Sequence, residues 1–224
     1  MSSQAFAHIR LKARPARAGG LTARLGSAFG ILTVLGFLVA FPLGGDEPAA
    51  DASAAKAVAY WSSHSDRQML ASAILAVSAA TLVGFGAMLR DALREADSGR
   101  EPLARVAFAG MVIAATGLLT NVAFAFTAAD TAGDVSPQVT QTLSTLSIDF
   151  GTPLAIGFAL MMIASGIAVI RTSFVPRALG WLSILVGLAG FTPAGEVEFW
   201  GLPVWILVLS GALLLRGQRA TATS

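Results

Sequence analysis

Few residues in this sequence are placed to do chemistry. Asn121 is the one strongly polar side chain deep within an apolar run, Asp149 and Glu198 each stand just before such a run, and His64, Asp66 and Glu196 are the groups that could join them. An amide among apolar residues must find partners, either on a neighbouring helix or on a solute that passes it. The two acids sit in related contexts, Asp149-Phe150-Gly151-Thr152-Pro153 and Glu198-Phe199-Trp200-Gly201-Leu202-Pro203. Proline suits the first helical position, and an acid just upstream meets the positive end of the helix dipole. A second reading gives Asp149 more to do. If a helix starts at Ser136-Pro137 and continues through Ile148, Pro153 lies inside it and frees the Asp149 carbonyl. A carboxylate and a free carbonyl at a helix break would suit a cation or a proton.

Other chemistries lack their residues. With no cysteine there is no disulfide, thiolate nucleophile, iron–sulfur ligation or thiolate zinc site. His8 and His64 both lie outside the apolar runs, so haem between helical histidines is excluded. A His-x-Asp pair with scattered acids is a poor basis for a metal site, and Met161-Met162 reads as helix packing rather than copper ligation. Neither a Gly-x-Ser-x-Gly elbow, a His-Glu-x-x-His pair nor a phosphate-binding Gly-x-x-x-x-Gly-Lys occurs. The expectation is therefore no catalytic residue, no cofactor and no metal.

The elements that must hold these groups follow from composition. Of 224 residues 55% are apolar and 12% charged, about half the ~25% usual in soluble domains. That excludes a disordered chain and an ordinary soluble globule. Six apolar runs, at 25–44, 69–89, 106–129, 150–170, 178–194 and 199–215, contain no charged side chain. At 1.5 Å per helical residue, ~20 residues cross a ~30 Å hydrocarbon layer, so the chain reads as an all-α membrane protein with six transmembrane helices. The last two runs are short and look like a tight hairpin around Pro193 and Pro203.

Lys and Arg are retained on the cytoplasmic side of span ends. With both termini cytoplasmic, 13 of the 15 bases fall inside, leaving Lys56 and Arg67 outside, and 9 of the 13 acids face out. The chain divides into a basic cytoplasmic arm (1–24), the six-helix domain (25–216) and a short cytoplasmic tail (217–224). Arg10, Lys12, Arg14 and Arg17 in the arm favour anionic headgroups rather than nucleic acid, with Pro15 and Gly19-Gly20 expected to break any long helix there. Ala52-Ser53-Ala54 after the first run also fits a cleaved secretory signal, but 20 apolar residues exceed the ~7–15 of such signals, so the first span is expected to stay. The 45–68 loop carries an Ala-rich stretch fit for a short surface helix. Tyr60 and Trp61, with Trp200 beside the last span, read as aromatic anchors at headgroup depth.

Small residues must let the helices meet, because lipid gives no hydrophobic drive for association. Gly110, Ala114, Gly117, Asn121 and Ala125 share one face of the third span; Ala76, Ala80 and Gly84 make a row on the second; the first offers Gly26 and Gly30, then Gly36, Ala40 and Gly44.

Three stretches carry a family likeness: Ala-Tyr-Trp-Ser-Ser-His at 59–64, Leu-Arg-Asp-Ala-Leu-Arg-Glu-Ala at 89–96, and Val-Pro-Arg-Ala-Leu-Gly-Trp-Leu at 175–182. With the order of spans, they make the chain resemble an uncharacterised family of six-helix integral membrane proteins common in actinobacteria, over most of residues 25–216. The resemblance implies architecture and brings no activity; the location expected for the chain is the bacterial plasma membrane. Three functional classes follow in order: a structural, helper or sensor component; a carrier of a small solute or cation using Asn121 and Asp149; and a lipid-modifying enzyme, for which His64 is the only imidazole on the outer side. Topology reporters inserted at Gly99 and Gly133 should appear on opposite sides of the membrane, and the same side for both would refute the arrangement.

Overall fold

The computed structural model describes residues 16–97, 102–149, 151–172, 175–192 and 195–222. Among them there are eight helices and no strand: α1 Ala16–Gly44, α2 Ala54–Ser63, α3 Ser65–Ala96, α4 Pro102–Thr131, α5 Pro137–Asp149, α6 Thr152–Thr172, α7 Arg177–Ala189 and α8 Gly195–Ala222. Local chemistry accounts for several boundaries. Ser53 caps α2 through its hydroxyl, 3.4 Å from the Lys56 amide. α4 and α5 each begin on a proline, whose missing N–H costs nothing there. α6 starts after Gly151, whose carbonyl takes the Ala155 amide at 2.9 Å.

Four helical segments are long and apolar enough to cross a membrane: Leu21–Gly44, Ser65–Ala96, Pro102–Thr131 and Pro137–Thr172, the last taking α5 with α6. Two apolar helices are shorter, Arg177–Ala189 and Trp200–Leu215. Large apolar side chains such as Leu35, Leu38, Val77, Leu185 and Val204 are exposed along these helices. A soluble monomer rarely exposes so much apolar surface, and this is the outside of a membrane protein.

Register is read from which residues face each other. Gly26 lies against Met88, Gly30 against Phe85, Gly36 against Ser78 and Gly44 against Gln68, so α1 and α3 run antiparallel. The same reading makes α4 antiparallel to α6 (Gly110 on Met161, Gly117 on Leu154), α6 to α7 (Gly166 on Gly180, Gly187 on Ile163) and α1 to α8 (Gly26 on Leu213, Gly30 on Ser210). α1, α3, α4, α6, α7 and α8 thus form a ring in chain order, closed where α8 returns to α1. Its core includes Phe85, Met111, Phe158, Met161, Ile206 and Leu209. α2 and α5 pack on each other at one end, where α1 and α4 finish and α3 and α6 begin.

Three expectations need correction. α1 begins at Ala16 and passes through Gly19-Gly20 without the break expected in the arm; at the other end α8 continues to Ala222. Residues 1–15 lie outside the described residues. Pro203 sits well inside α8 rather than in its first turn, since the helix already starts at Gly195. It cannot donate to the carbonyl four residues back, which makes it a bend point. The Ala76, Ala80, Gly84 row is not a buried seam: Gly84 meets Phe29, but Ala80 is exposed. α3 instead buries Ser78, Ala79, Leu82 and Phe85.

The closest crossing joins α4 and α6. A Cβ on Gly110 would stand 2.6 Å from the Met161 amide nitrogen and 2.7 Å from the Gly157 carbonyl oxygen, and one on Gly157 would collide with the Ala114 backbone. Backbone cannot swing aside as a side chain does. Gly110→Ala should therefore cost about 1–3 kcal/mol, read as a lowered unfolding midpoint in detergent. Gly211→Ala, with nothing within 4 Å of its Cβ, should be neutral or gain up to about 1 kcal/mol from helix propensity.

Candidate functional site

The site is built where α1 ends. The last carbonyls of a helix lack intrahelical donors, and here side chains from α2 and α3 supply them. Tyr60 Oη and Gln68 Nε2 each donate to Gly44 O at 3.0 Å, and Arg67 donates to Leu43 O at 3.0 Å. Gln68 Nε2 also donates to Tyr60 Oη at 2.6 Å. Gly45 then turns the chain with φ +78°, a left-handed value that favours glycine, and delivers Asp46 and Glu47.

α5 holds the segment that follows. Gln141 Nε2 donates to Ala52 O at 2.7 Å, Thr145 Oγ1 to Ala50 O at 3.1 Å, and Ser147 Oγ lies 3.3 Å from Glu47 Oε2. Asn121, from α4, donates through Nδ2 to the carbonyl of Ser147, one of the carbonyls that the end of α5 leaves open.

These groups wall a cavity of about 530 Å³. Asp46, Glu47, Asn121 and Ser147 make its polar side, and Phe41, Leu75, Leu118, Leu154 and Phe158 its apolar side. Depth follows from the helices: from Asn121 to Leu118 on α4, and from Gly151 through Leu154 to Phe158 on α6, the lining passes from polar to fully apolar. The cavity is open, so Glu47 keeps accessible surface, yet protein crowds its carboxyl. Burial pushes its pKa above the ordinary glutamate value, and the Ser147 hydroxyl only partly counters this.

Of the residues singled out from sequence, Asn121 is on the cavity wall. Asp149 closes α5, is exposed, and is not part of the lining, although its neighbours Ser147 and Ile148 are. The side chains of Glu196 and Glu198 lie outside the described residues. His64 stacks on Tyr60 at 4.6 Å between ring centres, with Nδ1 2.9 Å from both Ser63 Oγ and Tyr60 O. Asp66 is exposed, and among the described residues no three His, Asp or Glu side chains gather as a metal set.

Trp61 is a correction. Rather than anchoring at headgroups, it is 0% exposed, packed with Ala57, Ala125, Ala128 and Ala129 and edge-on to Tyr60. The reason is that α2 lies under α5, and small residues at the end of α4 leave room for an indole. Tyr60 turns its hydroxyl inward to Gly44. Trp200 is 66% exposed and borders a second, apolar groove of about 250 Å³ between α1 and α8, with Phe37, Phe41, Pro42, Leu202 and Pro203. Glu47 and Ser147 were not singled out in the sequence. The available signal was an acid pair directly after the Gly44-Gly45 stop.

No family model matches the chain, and no curated protein or solved structure matches it either.

The raised pKa of Glu47 sets a sign. Below the unfolded value both states hold the proton and the residue carries no penalty; as pH rises through the raised folded value, the unfolded chain binds fewer protons and stability falls. Glu47→Gln should therefore raise the unfolding midpoint at pH 8 and leave it unchanged at pH 4. A gain of the same size at both pH values would mean that ionisation is not the cause.

Proposed function

We propose that the chain is a six-crossing protein of the bacterial plasma membrane, with both termini cytoplasmic, acting as a sensor or helper component that binds a small molecule in the cavity between the end of α1 and α3, α4, α5 and α6. The cavity is the observation that carries this reading. Its volume lies within the ~300–1,000 Å³ of small-molecule sites, and its one-sided polar lining is the arrangement such sites use to orient a ligand. What its walls offer is hydrogen bonding, charge and apolar contact, which is the equipment of binding.

The antiparallel ring supports six crossings, because an even number of alternating helices returns α8 to the end where α1 starts. Arg90, Arg94 and Arg105 flank the opposite end of the bundle from Asp46, Asp51, Asp66 and Asp149, which supports placing the cavity on the outer side.

One observation favours a carrier as the second reading. The α5–α6 junction at Gly151 borders the cavity beside Asn121, with Pro153 in the next turn, as at the interrupted helices of transporters. That reading needs the apolar floor at Leu118 and Phe158 to open, and solute uptake into proteoliposomes would reveal it.

Native mass spectrometry of the protein in mild detergent should show a retained small molecule. Ala155→Trp, which projects bulk into the cavity, should remove it from protein that remains monodisperse. Retention of the same mass by that variant would place the ligand elsewhere and overturn the reading.

A further inference from the structure

The polar wall of the cavity is almost wholly one of acceptors. Asn121 spends one Nδ2 hydrogen on Ser147 O, which leaves Oδ1 as an acceptor and a single N–H as the wall's one side-chain amide donor. The one hydrogen of Ser147 Oγ is shared between Ser144 O at 2.8 Å and Glu47 Oε2 at 3.3 Å, which leaves its lone pairs for a ligand. Glu47 and Asp46 add carboxylates, and among the described residues no Lys, Arg or His lines the space. The remaining source of donors is the first turn of α6, whose N-terminus carries a partial positive charge of about half a unit. Pro153 stands in that turn and has no N–H, so it is a depleted anion site.

Groups around the wall keep the balance negative. Arg67, from α3, is turned to Leu43 O and is not in the lining; Tyr60, from α2, is held by Gly44 and Gln68; Asp149, at the end of α5, adds another acid outside the lining. Asp51, Asp66, Asp130 and Asp134 belong to the same end of the bundle, against Lys56 and Arg67. Such a field raises the local concentration of cations at the mouth. A hydrated inorganic ion gains nothing from the apolar side, which Phe41, Phe158, Leu75, Leu118 and Leu154 line. Aromatic faces attract organic ammonium groups.

We infer that the cavity takes a small organic cation, an amine or quaternary ammonium on an apolar body, with its charged head between Glu47, Asp46, Asn121 and Ser147 and its body against Phe41, Leu118, Leu154 and Phe158. This rests on the binding reading above. Glu47 must be ionised to face such a head, so the cation and a proton compete for the same place. With the proton on, the Glu47 carboxyl can donate to Ser147 Oγ and close the polar wall upon itself. Burial raises the proton affinity of this group, so the competition is felt above the pH range of an ordinary glutamate.

The test uses the full chain in uncharged detergent, with benzyltrimethylammonium as the probe and neopentylbenzene as its uncharged isostere, read by calorimetry and by the unfolding midpoint. The cation should bind at pH 8, progressively more weakly as pH is lowered to 4, and at least about tenfold more weakly in Glu47→Gln. Asp149→Asn should bind it as the wild type does. Neopentylbenzene should bind at least about tenfold more weakly than the cation. Equal binding of both compounds, blocked by Ala155→Trp, would overturn the cation assignment while supporting the binding reading. Cation binding that Glu47→Gln leaves intact and Ala155→Trp abolishes would overturn the placement of the head at Glu47. Stabilisation by sodium chloride matching that by the probe would overturn an organic ligand. No binding of either compound, together with no retained mass in the native protein, would overturn both readings.

Discussion

The contact on which this molecule depends is the one between two stretches of bare backbone, α4 at Gly110–Ala114–Gly117 and α6 at Gly157. Among lipid chains as apolar as the side chains themselves, association must come from close van der Waals fit, and glycine permits the closest. Because the α4–α6 crossing is that tight, the start of α6 is fixed against the middle of α4 rather than its end. α4 continues beyond it to Thr131, and α5 fills the remaining length. The cavity lies at this change of partner, one turn past Gly117, where Asn121 faces α5 and Gly151 has just begun α6.

The two ends of this arrangement are held by different physics. Within the ring, cohesion comes from shape: Gly30 against Phe85 and Ser210, Gly86 against Met111, Gly166 against Gly180. At the α2/α5 end it comes from directional hydrogen bonds between segments nearly a hundred residues apart, Gln141 to Ala52 and Thr145 to Ala50. Each such bond is worth on the order of 1 kcal/mol net, and several converge on the short stretch that carries Glu47. The position of that carboxyl is thus set by many weak restraints from α5 instead of one strong partner. Shape fixes the apolar side of the cavity, and hydrogen bonding fixes the polar side.

Sequence made the helical part of this readable, because an apolar run of ~20 residues has few alternatives. It also showed the working face of α4, where Gly110, Ala114, Gly117, Asn121 and Ala125 follow the helical period and face α6, α5 and α2 in turn. The same rule failed on α3. A small residue is equally at home in a seam and against lipid, so Ala80 matched the spacing while pointing outward. Trp61 was misjudged because an indole suits a headgroup layer and a buried end cap alike, and only the position of α5 decides between them. Glu47 was out of reach for a deeper reason. Nothing local distinguishes it from Asp46; its environment is created by Ser147, whose separation in sequence no periodicity spans.

α7 is the short member of the ring at 13 residues, about 20 Å of helix beside α6 and α8, which at 21 and 28 residues are about 32 and 42 Å long. Trp181, Leu182, Leu185 and Leu188 stand on its open side. In the six-crossing arrangement proposed, the bilayer touching that side must either thin by several ångströms or draw polar headgroups inward, at fractions of a kcal/mol for each ångström. Around α1, α3 and α4 it need not. The protein therefore presents a perimeter of unequal height, and the lipid collar is strained on one flank only. Bilayer thickness becomes a variable to which this molecule is mechanically coupled, through the helix that closes its ring onto α8.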